Sequence, residues 1–184
     1  MTTNEIADVI IRNLSERHFP VFLTTFSGGG FSEADVLGIN SNGYMYEFEI
    51  KRSRSDYLAE FKNKEHKHKL LSERSAVKKY NVYIKGKKTE KLTTHILIPN
   101  KYFFVCEKHL ISPREIPEYC GLIYIDKNRE KKDQFLEIVS APLLHREKAN
   151  ERIYQRVATI LSQRIIYGCS FYTHIHRKQQ IDFR

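Results

Sequence analysis

Three charged residues, Asp35, Glu49 and Lys51, stand inside two apolar runs that otherwise read as buried strand. These runs are Ala34-Asp35-Val36-Leu37-Gly38-Ile39 and Tyr44-Met45-Tyr46-Glu47-Phe48-Glu49-Ile50-Lys51. Ionised side chains are rarely left on core strands unless they are paired, coordinate a metal or do chemistry. Glu49 and Lys51 are two apart and share one face of an extended chain. Two carboxylates and an ammonium in one small volume can hold a hard divalent cation and offset negative charge that develops on a bound group.

Whether Asp35 joins that face depends on the turn. A two-residue Asn42-Gly43 loop pairs Asp35 with Ile50 and sends Asp35 and Glu49 to opposite faces. A three-residue Ser41-Asn42-Gly43 loop instead pairs Asn40 with Tyr44, with Gly43 left-handed behind a type I turn in a G1 bulge. That register sets Asp35 across from Glu49, and it is the expected one. Opposed β-carbons lie about 4.5–5.5 Å apart. Two carboxylates that close repel unless a cation lies between them or one takes a proton. Hard oxygen donors of this kind suit Mg²⁺ or Mn²⁺.

The surrounding pattern predicts the elements that must hold these residues. Thr2 to Leu14 reads as a helix with Ile6, Val9, Ile10 and Leu14 on one stripe, and Thr2 with Glu5 has capping-box spacing. Val21 to Phe26 reads as a strand, and Ser27-Gly28-Gly29-Gly30 as a connector. After Lys51, Ser53 or Ser55 can cap a helix running from Asp56 to about Leu71. Its expected core side is Tyr57, Leu58 and Phe61, with Asp56, Glu60, Lys64 and His68 outward. Two strands, Tyr80 to Ile84 and Thr93 to Ile98, flank Lys85-Gly86-Lys87-Lys88-Thr89-Glu90-Lys91 and predict a basic hairpin over about 78–98. Core strands follow at Tyr102 to Cys106, Leu122 to Ile125 and Phe135 to Val139. Ser112-Pro113-Arg114-Glu115 has a helix-start signature with Cys120-Gly121 as its end. A helix over about 150–167 places Ile153, Val157, Ile160, Leu161 and Ile165 inward.

At 184 residues the chain suits one domain, 1–184, with a sizeable core. No apolar run reaches membrane-spanning length and no signal-peptide pattern opens the chain, so no membrane partner is expected. Cys106, Cys120 and Cys169 match neither a disulfide framework nor a zinc site, which points to a reducing cytoplasm. The net charge is +9, and from Lys51 to Lys91 there are 14 Lys or Arg against 5 Asp or Glu. The entire surplus therefore lies in one segment that begins at the carboxylate cluster. Such a footprint suits a nucleic-acid partner.

The order helix, strand, Asp-bearing strand, Glu-x-Lys strand, helix resembles the PD-(D/E)XK nuclease superfamily. The stretch from Glu49-Ile50-Lys51-Arg52-Ser53-Arg54-Ser55-Asp56-Tyr57-Leu58-Ala59-Glu60-Phe61-Lys62 looks closest to its MmcB-like and related phage-encoded branch. Pro99-Asn100-Lys101-Tyr102-Phe103-Phe104-Val105 through Gly121-Leu122-Ile123-Tyr124 is similar to the same branch. The likeness covers most of residues 1–126, and Ala34 stands where the motif's proline would be. It implies an α/β fold with a restriction-endonuclease-like core, that is, a mixed central β-sheet flanked by helices, with the basic β-hairpin inserted.

By the same resemblance, Asp35, Glu49 and the Ile50 carbonyl would bind Mg²⁺ (or Mn²⁺), and Lys51 would orient the attacking water. The superfamily often recruits a further acid from the first helix, here Glu5, which also fits a cap. Glu33 and Glu47 share the face, with exposed or paired structural roles expected. Arg52, Arg54, Lys62, Lys64, His68, Lys85, Lys87 and Lys88 are the expected nucleic-acid contacts. The implied activity is a Mg²⁺-dependent DNA endonuclease of DNA repair or phage DNA metabolism. A non-catalytic nucleic-acid-binding module on the same fold is the alternative, and an RNA-cleaving enzyme ranks behind both. The chain does not decide between monomer and homodimer.

Overall fold

Capping and amphipathic spacing start the chain as expected. In this computed structural model, which describes residues 1–28, 31–84 and 87–167 (backbone alone at 31–32, 77–84 and 87–94), helix α1 spans Thr3–Glu16. The Thr2 side chain accepts from the Glu5 amide, and the Glu5 carboxylate accepts from the Thr2 amide at 2.6 Å. The apolar stripe Ile6, Ala7, Val9, Ile10 and Leu14 is buried.

Among the described residues six strands form the central sheet, and it is mixed. Strands β1 (Val21–Gly28), β2 (Phe31–Ile39) and β3 (Met45–Lys51) run antiparallel in sequence. Strands β6 (Lys101–Glu107) and β7 (Gly121–Ile125) continue parallel to β3, and β8 (Phe135–Val139) closes the far edge antiparallel. The return from β3 to β6 is a crossover. It contains helices α2 (Arg54–Asn63) and α3 (Glu65–Ser72) and the separate two-stranded hairpin β4 (Val77–Ile84) and β5 (Lys87–Ile96). Helix α4 is Glu151–Tyr167.

The two sheet faces pack differently. Below α1, Ile6, Ile10 and Leu14 meet Val36, Phe48, Ile50, Phe103, Val105 and Ile123. Below α2 and α3, Tyr57 and Leu71 meet Tyr102, Phe104, Leu122 and Tyr124. Burying one such Phe or Leu contributes roughly 1.5–3 kcal/mol, so each cluster is a substantial anchor. Helix α4 sets Ile153, Val157 and Ile160 on Leu23, Phe26, Leu37 and Ile39.

Four expectations are corrected here. The expected single helix from Asp56 to Leu71 is two, interrupted at Lys64, whose backbone leaves helical geometry at φ −122° and ψ 35°. Leu58 is 57% exposed, whereas Glu60 and His68 are buried, because the helices turn a charged strip inward onto β3. The Ser112 start signal opens only the single 3-10 turn Pro113–Glu115, although its capping box is present. On α4, Leu161 and Ile165 are exposed rather than inward, since the buried stripe on β1 and β2 stops at Ile160.

Candidate functional site

The β2–β3 connection has the three-residue form. Asn40 donates to the Tyr44 carbonyl at 3.0 Å, and Gly43 takes a left-handed φ of 81°. The Asn40 side chain fixes the turn by accepting from the amides of Asn42 and Tyr44. Pairing runs from Ile39 with Met45 to Val36 with Phe48, and the same register carried one step beyond this ladder brings Asp35 level with Glu49. At that step the Asp35 carboxylate reaches between the strands and accepts from the Ile50 amide at 2.7 Å. On β1, between the Thr24–Val36 and Phe26–Ala34 pairs, Thr25 has a φ of 48°, an unusual conformation for a β-branched residue.

Strand β3 divides its side chains by alternation. Phe48 and Ile50 enter the core below α1, while Glu47, Glu49 and Lys51 face α2 and α3. Buried charges demand partners, and two further lysines with one further glutamate complete the set. Glu49 Oε1 accepts from Lys51 at 3.1 Å and Lys64 at 2.7 Å, and its Oε2 from Lys67 at 3.3 Å. Lys67 also pairs with Glu47 and lies 5.0 Å above the Tyr102 ring. Glu60 Oε2 binds Lys51 at 2.8 Å and Lys64 at 3.3 Å, and its Oε1 lies 3.5 Å from His68 Nε2. Glu47, Glu49 and Glu60 thus match Lys51, Lys64 and Lys67 in charge, and Asp35 adds one negative group.

The protonation equilibria reflect this crowding. Burial, then the Glu49 charge, pushes the Asp35 carboxyl up to about 6, against the pull of the Ile50 amide and Lys51. Burial raises Glu47 to about 7 despite Lys67, and Glu47 Oε2 has no hydrogen-bond partner among the described residues. Burial works on Glu60 in the same direction, but His68, Lys51 and Lys64 together hold it well below the usual carboxylate range. For Lys51 and Lys67 burial is outweighed by the neighbouring glutamates, and both ammoniums are stabilised.

Asp35, Glu49, Lys51, Arg52, Glu60 and Lys64 line a cleft of about 340 Å³ that opens beyond the last residues of β3. The carboxyl ends of parallel strands are where open α/β sheets bind ligands. Among the described residues, no group of three or more His, Cys, Asp or Glu side chains is gathered for a metal ion. The two converging carboxylates nevertheless fit Mg²⁺, which takes one or two carboxylates and retains water. Burial first and the Glu49 charge second disfavour the ionised Asp35, and a bound cation would offset both.

The remaining expected residues divide. Arg52 lines the cleft and is exposed, and Lys62 is exposed on α2. Arg54 is exposed but forks onto Glu115, with one contact at 2.9 Å. His68 is not a surface contact: it is 6% exposed, bonded to the Tyr119 hydroxyl at 3.1 Å and packed on Phe61 and Phe104, so nucleic acid cannot reach it. Glu5 is used by the α1 cap, and Thr3 is the α1 residue lining the cleft. Lys85 lies outside the described residues, as do the side chains of Lys87 and Lys88. Glu33 is exposed and Glu47 is paired, as expected.

Glu60 and Lys67 were not singled out from the sequence. For Glu60 the signal was its position three residues after the core residue Tyr57, which places it near the inward side. For Lys67 the signal was the demand of Glu47 and Glu49 for counterions.

No family model matches the chain, and no curated protein matches it. Among solved structures it is similar to SPO1766, a protein of unknown function from Silicibacter pomeroyi. The TM-score is 0.58 at 18% identity, over 100% of this chain and 99% of that one. At this identity the likeness concerns the fold alone, and among the described residues that fold is a mixed β-sheet flanked by helices.

Proposed function

We propose that this protein is a Mg²⁺-dependent endonuclease of the PD-(D/E)XK superfamily acting on DNA, in repair or phage DNA metabolism, in a reducing cytoplasm. The observation that carries the reading is the convergence of Asp35, Glu49 and Lys51 on one cleft. Phosphodiester hydrolysis needs a nucleophile at neutral pH and positive charge where the phosphate becomes more negative. Asp35 and Glu49, with the Ile50 carbonyl, would hold the metal, which when bound acidifies water and polarises the phosphate. Lys51 stays protonated between Glu49 and Glu60, so it serves as a fixed positive charge at the cleft and orients water through its ammonium. Arg52 and Lys64 line the approach available to a phosphate backbone.

The test is cleavage of plasmid and single-stranded DNA in Mg²⁺, repeated with Asp35→Ala and Lys51→Ala. Each substitution is expected to lower the rate by at least about a hundredfold. Cutting that survives both rejects the assignment.

One observation favours the binding-module alternative. Glu49 already carries three ammonium contacts, so its charge is met without a metal. In that case DNA binds in a salt-sensitive manner and remains intact in Mg²⁺ and Mn²⁺.

A further inference from the structure

We infer that Lys64 is an exchangeable counterion: its ammonium holds the Glu49 oxygen that a divalent cation needs, and cation binding releases it toward the substrate phosphate. The inference rests on the proposed metal reading of the cleft and states how that site fills.

Glu49 Oε1 is shared by Lys51 at 3.1 Å and Lys64 at 2.7 Å. A cation arriving at that oxygen meets two ammoniums, and like charges at such range repel strongly in a shielded site. One ammonium must move. All three lysines bridge two buried carboxylates, but Lys51 and Lys67 are poor candidates because their side chains are only 4% and 5% exposed. The Lys64 side chain is 33% exposed and lines the cleft.

The backbone is arranged for such movement. Lys64 occupies the joint between α2 and α3, and its amide closes α2 on the Glu60 carbonyl at 2.8 Å. Its side chain caps neither helix, so swinging it outward breaks no helical hydrogen bond. The charge count agrees. Asp35, Glu49, Asp56 and Glu60 face Lys51, Arg52 and Lys64 across the cleft, one net negative charge, and exporting one ammonium while a divalent ion enters leaves it near neutrality. The released ammonium stays on the cleft wall, within reach of a bound phosphate.

The experiment is calorimetric titration of the full chain with Mn²⁺ and Mg²⁺, using wild type, Lys64→Met, Lys64→Arg and Asp35→Asn, each first checked by thermal melting. Lys64→Met is expected to bind the cation about tenfold or more tightly than wild type, and Lys64→Arg, which keeps the charge, close to wild type. Equal or weaker binding by Lys64→Met overturns the exchange, while heat that vanishes in Asp35→Asn still upholds the metal site. No binding by any form removes the metal reading and the exchange together. In a duplex-DNA titration, Lys64→Met should lose several-fold more affinity in Ca²⁺ than in EDTA, and equal losses would also overturn the exchange.

Discussion

Asp35 occupies a position where ionisation is costly, because it is partly buried and faces the negative Glu49. Its carboxyl shifts from 3.8 to about 6 on folding, so the folded state holds the proton more tightly than the unfolded chain does. The favourable contribution is complete below about pH 4 and is lost as pH rises through about 6. In EDTA, Asp35→Asn should therefore gain stability relative to wild type between pH 4 and pH 7.5, by on the order of 2 kcal/mol. Urea melts at both pH values measure this, and a pH-independent difference would contradict it. The gathering of Asp35, Glu49 and Lys51 at one cleft was legible because strand alternation and turn length can be counted along the chain. Glu60, Lys67 and the burial of His68 were not, because they depend on how α2 and α3 roll against the sheet. That rotation follows from the aromatic wall of Tyr57, Phe61, Tyr102 and Phe104 and not from local spacing.

At the scale of elements, the turn between β2 and β3 sets the geometry of the cleft. Gly43 holds a φ of 81°, and its carbonyl accepts from Ala149 at 2.8 Å, tying the turn to the segment before α4. A β-carbon in the left-handed region costs about 1–2 kcal/mol, so Gly43→Ala should destabilise by that amount. Gly43→Asn should cost less, since Asn tolerates the conformation. Denaturant unfolding of both variants tests the ranking, and equal costs would count against it. The turn, the α1 cap and most strands could be read from sequence because their signals are local. The interruption at Lys64 could not. No Pro or Gly marks it, and its cause is the need to bring Lys64, Lys67 and His68 onto buried carboxylates from two successive helices. The hairpin was visible as two β-rich runs, although its second strand begins at Lys87, inside the lysine-rich segment expected to be its tip.

For the molecule as a whole, the surplus of positive charge falls in the β3–β6 crossover segment, whose first part, from Arg52 to Lys64, lines the cleft. Part of it is internal: Lys67 neutralises Glu47 and Glu49 away from the cleft, and Lys51, which lines the cleft, is already paired with Glu49 and Glu60. The exposed share, including Arg52 and Lys62, is what DNA would meet. If the reading holds, the affinity for duplex DNA falls with log salt at a slope of about −0.9 per phosphate contacted. Lys62→Ala should then reduce that slope by about one while changing sequence preference little, and an unchanged slope would remove Lys62 from the interface. Sequence composition located this footprint but could not divide it between surface and interior, because lysine burial is decided by tertiary pairing. All of these expectations depend on Asp35 and Glu49 sharing a cation, which anomalous diffraction from Mn²⁺-soaked crystals tests most directly. A peak between the two carboxylates, absent in Asp35→Asn, is the predicted result; crystals that take up Mn²⁺ elsewhere, or show no peak at this cleft, would contradict it.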